Sequence, residues 1–301
     1  MEFLKFYLFY IPILAVFTIV IIRYLNNKNN DQRLKVLIYL AALALLLHII
    51  KPFFFPYNGI GVENEPDIFN RPAIFRKITF ENVCAVSALL YLPTLLFKNK
   101  YVLDYMAIFG FIGGFLALLW PAEVMMGQFD SIKVNYEMGL FSFDTIRFYL
   151  VHYLLFLISF LLLYYRIHEL DTKRMFYLPV SVLLLLTLLF VNEYVLFKLG
   201  WLDDIAKVTG LTGNNGMDLF LDVNKRNFSF VFGIPDAFKD AGFFIDILVP
   251  GFMKDPYIPV IWITIPVFVY APLIYMGFKA MFEKITFKMD VLEEKEFEYT
   301  K

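Results

Sequence analysis

Seven stretches of the chain are apolar for about twenty positions each, and polar residues gather in the intervals between them. An α-helix rises 1.5 Å per residue, so roughly 20 such residues cross the ~30 Å hydrocarbon core of a bilayer. The pattern predicts spans at about 4–24, 36–55, 78–97, 101–121, 146–165, 176–198 and 257–278. The first is too long for a signal-peptide core and has no small-residue cleavage site, so it is expected to stay in the mature protein. The fold class is therefore all-α: one polytopic domain over 1–301, a bundle of about seven transmembrane helices. The longest connection, 199–256, carries seven acids from Asp203 to Asp246 interleaved with aromatics such as Phe243 and Phe244. Part of it reads either as an interfacial helix or as a packed cap. The segment 283–301 is charged and reads as a solvated helix or a disordered end.

Composition strengthens the membrane reading. The chain is 60% hydrophobic, where soluble domains sit near ~45–50%. The net charge of -1 leaves no electrostatic footprint for nucleic acid. The single cysteine, Cys84, excludes an intramolecular disulfide and a cysteine-rich zinc site. Lysine and arginine are uneven across the spans. Face A, where the first span begins, holds seven in its shorter segments; face B holds fourteen, from Arg23 to Lys301. Positive charge marks the inner side. The chain is thus expected to be integral to the cell membrane, N-terminus outside and C-terminus cytoplasmic, with 199–256 external.

Ionisable groups inside a membrane are costly, so each asks for a reason. Counted from the predicted span ends, His48, Cys84, His152, Asn192 and Glu193 all fall roughly 9–11 Å below face A. Glu81, Cys84 and Ser87 share one helical face, as do Thr145, His152 and Ser159. A thiol beside an imidazole is a nucleophile–base pair suited to acyl transfer. Glu81, His48, Asn192 and Glu193 are the candidates for orienting the imidazole or binding substrate. The plainer reading is a small packing cysteine and a histidine bonded to a neighbouring helix. His168 falls at face B, away from the other two histidines, so no metal site is expected. Gly110, Gly113 and Gly114 read as a close helix–helix contact.

The run Glu81-Asn82-Val83-Cys84-Ala85-Val86-Ser87-Ala88-Leu89-Leu90 with Pro93 resembles the cysteine-bearing helix of the YwaF-type integral membrane proteins. Phe109-Gly110-Phe111-Ile112-Gly113-Gly114 through Pro121 resembles that family's glycine-rich helix, and Arg147-Phe148-Tyr149-Leu150-Val151-His152-Tyr153 its histidine-bearing one. Two departures stand out: Glu81-Asn82 occupies the place where many members carry a histidine, and the asparagine-rich pattern after the sixth span is only loosely echoed by Asn192. Relatives include a vertebrate transmembrane acyltransferase of ether phospholipids. The resemblance implies Cys84 as nucleophile and His152 as general base. The expected function is a lipid acyltransferase or lipid hydrolase working through a thioester, with a membrane phospholipid or lysophospholipid as partner and no cofactor. The alternative is a non-catalytic transporter or lipid-binding protein with a polar cavity near the external face.

Overall fold

A computed structural model of the chain describes residues 2–54, 78–80, 82–121, 128–129, 132–133, 139–199, 231, 233–234, 243–253 and 258–299. The described residues are overwhelmingly helical. Six helices are long and apolar enough to cross a bilayer, and a shorter apolar helix joins them. In chain order they are α1 (Glu2–Asn26), α2 (Asn30–Ile49), α3 (Val83–Phe97), α4 (Lys100–Leu119), α5 (Phe143–Tyr164), α6 (Tyr177–Lys198) and α7 (Thr264–Tyr299). Strand structure among the described residues is a two-residue antiparallel pair, Gln128–Phe129 with Ile132–Lys133.

Local signals fix the helix ends. The α1–α2 connection at face B is short because Asn29 begins α2 with a reciprocal capping box to Gln32. Arg33 of α2 then donates to the Leu25 and Asn26 carbonyls, covering the C-terminal end of α1. This start is six residues earlier than the hydropathy pattern suggests, because Asn30, Asp31, Gln32, Arg33 and Lys35 are polar yet helical. At face A the helix stops at Ile49 and passes into a 3-10 turn containing Pro52. Asn82 caps α3, its side chain accepting from the Ala85 N–H at 2.8 Å, so this helix begins five residues later than expected. Ser142 caps α5 through the Thr145 N–H, three residues earlier than expected. α7 runs on through the charged segment to Tyr299.

α5 is the axis of the bundle. Of its most apolar window, 78% is buried, against 17% for α1. It packs against α1, α2, α3, α4 and α7. α1 is attached by aromatic and polar contacts: Tyr10 stacks on Tyr149 with ring centroids 4.1 Å apart, and the Thr18 and Tyr153 hydroxyls lie 2.9 Å apart. The outward faces stay apolar, with Leu8, Val16, Leu184 and Leu273 each at least 60% exposed. So extensive an exposed apolar surface fits lipid and not water. In the 199–256 connection, the described residues Ile234 and Val249 bury against Trp262, just before α7.

α4 is interrupted by a π-turn at Met106–Gly110. The Tyr91 hydroxyl donates to the Met106 carbonyl at 3.1 Å, and Ser159 of α5 donates to the same carbonyl at 2.8 Å. These bonds bring two side-chain donors to a backbone acceptor within the π-turn. Gly110 is obligatory here, since a Cβ would overlap the Tyr91 hydroxyl.

Candidate functional site

α3 has 15 residues, about 22 Å of helix, which is too short to reach across a ~30 Å core. Its N-terminal end is capped by Asn82. Cys84 is the second residue of this helix. A helix N-terminus carries positive partial charge that favours an adjacent anion. The sulfur is half-buried and turned towards α4: a Cβ on Gly113 would sit 4.0 Å from it. One residue on, a Cβ on Gly114 would meet the His152 carbonyl oxygen at 2.5 Å and the Phe156 nitrogen at 2.7 Å. Adjacent glycines of α4 thus touch both candidates, Cys84 on α3 and the backbone of His152 on α5. Two turns along, Tyr91 of α3 lies over Gly110, so α3 and α4 pack antiparallel along a groove of small residues.

His152 is 8% exposed. Its Nδ1 lies 2.8 Å from the Phe148 carbonyl. A carbonyl only accepts, so Nδ1 carries the hydrogen and the neutral ring presents Nε2 as its acceptor. Among the described residues no group hydrogen-bonds Nε2. The ring packs against Phe148 with centroids 4.2 Å apart. Three charged side chains lie within electrostatic reach: Arg147, Lys51 and Asp144. All three are buried, and Arg147 donates to Asp144 at 2.6 Å. Phe54 stacked on Phe143, centroids 3.7 Å apart, holds the end of α2 against the start of α5 and keeps Lys51 at this level.

The other described groups sit on α2 and α6. Asn192 of α6 donates to the Thr79 hydroxyl at 3.1 Å, fastening the approach to α3 rather than the imidazole. Glu193 is buried at 4% exposure on α6, and His48 at 3% in the last turn of α2. Glu81 lies outside the described residues. The helix boundaries differ from those expected. Cys84 is in the first turn of α3, while His152 is ten residues into α5. The two meet the same glycine pair although they lie at different distances from the starts of α3 and α5. Lys51 and Arg147 escaped the sequence reading because both were counted as loop or span-end charges; only their burial marks them.

A second polar centre lies at the face B end. Asp104 of α4, 2% exposed, accepts from His168 Nε2 at 2.6 Å, from Arg174 Nε at 2.8 Å and from the Tyr275 hydroxyl at 3.2 Å. It ties α4, the α5–α6 connection and α7 together. The Asp104 hydrogen bond holds the Arg174 guanidinium above its ordinary pKa.

A family model described as the TMEM164 family matches residues 3–201, which takes in α1 through α6. No curated protein and no solved structure matches the chain.

Proposed function

The chain belongs to the TMEM164 family, and we propose that it is an integral membrane lipid acyltransferase or lipid hydrolase of the Cys–His type. The observation that carries the proposal is the Gly113–Gly114 pair, against which both the Cys84 sulfur and the His152 backbone pack. The likeness of these three helices to the YwaF-type proteins supports the same reading. In the first half-reaction His152 Nε2 takes the thiol proton and the Cys84 sulfur attacks the carbonyl carbon of an acyl ester. A C–S bond forms, the ester C–O bond breaks, and the departing lysolipid oxygen takes the proton from His152. In the second, the hydroxyl of a lysolipid or a water attacks the thioester. His152 accepts its proton and returns it to the leaving sulfur.

The surroundings suit such a substrate. The N-terminal end of α3 favours negative charge on the sulfur. The charged groups Arg147, Lys51 and Asp144 near His152 suit a polar lipid headgroup beside the reacting ester. The lysine and arginine distribution supports face A as the outer face.

The test is intact-protein mass spectrometry after incubation with a diacyl phospholipid, beside Cys84→Ala and His152→Ala. A hydroxylamine-labile acyl mass is expected on the wild type and none on Cys84→Ala. In His152→Ala its formation slows by roughly a hundredfold or more. An unmodified wild-type thiol with every phospholipid offered would sink the proposal and leave a lipid-binding protein.

A further inference from the structure

A cavity of about 290 Å³ opens at face B between the start of α2, the end of α3, the start of α4 and the segment after α5. This volume is at the lower end of ligand sites, about 300–1,000 Å³. Its floor is apolar, formed by Leu95, Leu103 and Leu162 among others, and its rim carries Lys98 and Lys100 against one acid, Asp31. We infer that this cavity binds the phosphate headgroup of a lipid in the face B leaflet, with the root of the acyl chains on the leucine floor.

Two further features mark the wall and the mouth of the cavity. His168 lines the cavity and is 7% exposed. Its Nε2 is spent on the Asp104 carboxylate at 2.6 Å. Lys98 is held in the left-handed region with φ 54° at the C-terminal end of α3. Glycine or asparagine is usual there. A lysine kept in a strained conformation at the mouth of a cavity is the kind of feature that clusters at ligand sites. The setting selects a lipid over a soluble anion. The polar rim lies at the helix ends, at headgroup level, and basic pockets between transmembrane helices bind acidic headgroups. The site is at the opposite face from Cys84 and does not depend on acyl transfer.

The test uses the full chain in detergent, titrated with dioleoyl phosphatidic acid and followed by native mass spectrometry. Lys98→Asn with Lys100→Gln removes both charges and suits the left-handed backbone. Lys35→Gln with Lys173→Gln removes two exposed face B charges away from the cavity. At about 1 kcal/mol per basic residue, the first pair weakens binding roughly thirtyfold, and the second less than threefold. Lys100→Glu, an acid in a first helical turn and so compatible with folding, is expected to weaken it at least as much. Equal loss in both double variants, no saturable binding by the wild type, or no loss in Lys100→Glu overturns the inference. Displacement by millimolar inorganic phosphate overturns it in favour of a free anion.

Discussion

A Cβ on Gly114 would lie 2.5 Å from the carbonyl oxygen of His152, whereas one on Gly113 would lie 4.0 Å from the sulfur of Cys84. The first distance is a collision with backbone, which cannot rotate away; the second is ordinary contact. Gly114→Ala is expected to push α4 off α5 and to destabilise the bundle by about 1–3 kcal/mol. Gly113→Ala keeps the fold and gains up to about 1 kcal/mol of helix propensity. Its methyl abuts the sulfur, so Cys84 acylation falls. Thermal unfolding of the two variants, followed by the mass assay on Gly113→Ala, checks both halves.

The Asp104 centre predicts a graded series. Arg174→Ala removes a two-point contact to a carboxylate that is 2% exposed. Leaving that charge without its guanidinium is expected to cost about 3–5 kcal/mol. Arg174→Lys keeps the charge but cannot span both Asp104 oxygens and the Glu169 carbonyl, and costs about 1–2 kcal/mol. Tyr275→Phe, which loses bonds to Asp104 and Asp171, falls in the same range. Melting temperatures that ignore the order Ala below Lys would contradict this account.

Tyr91 and Ser159 serve one acceptor, the Met106 carbonyl. Each single substitution, Tyr91→Phe or Ser159→Ala, leaves the other hydroxyl in place and is expected to cost about 1 kcal/mol. The double variant strips the π-turn of side-chain donors and costs more than the two losses added. A double-mutant cycle by denaturant unfolding measures the coupling, and simple additivity would show that the π-turn needs neither.

Asp171 sits outside the spans. Its carboxylate is held below the ordinary range, chiefly by the Lys173 N–H and further by the charge of Arg174. A depressed folded-state pKa gives stability that is present above the unfolded value, near ~4, and lost as pH falls below it. The stability gap between wild type and Asp171→Asn is therefore expected to be full at pH 7 and to close in more acidic solution. Unfolding midpoints across that interval test the sign, and a gap that widens with acid would reverse it.

Sequence alone determined what a linear pattern encodes. Apolar runs of about bilayer length specify spanning helices, because only a helix satisfies its own backbone in lipid. Gly110, Gly113 and Gly114 were legible as a close contact, because a missing Cβ has few other uses inside a span. Cys84 and His152 stood out because polar atoms there are expensive. What the sequence does not carry is the relative height of helix ends. Hydropathy averages over a window, so the polar start of α2 and the asparagine cap of α3 were invisible to it. Cys84, expected about six residues into its span, is the second residue, in the first turn, of a shorter helix. Only packing decided that this first turn lies against the same two glycines as His152. Only packing, too, turned Asp104, His168, Arg174 and Tyr275 into one centre, because their contacts span from 64 to 171 residues of chain. Tertiary structure supplies these pairings because the energy of a buried charge depends on what the fold brings beside it.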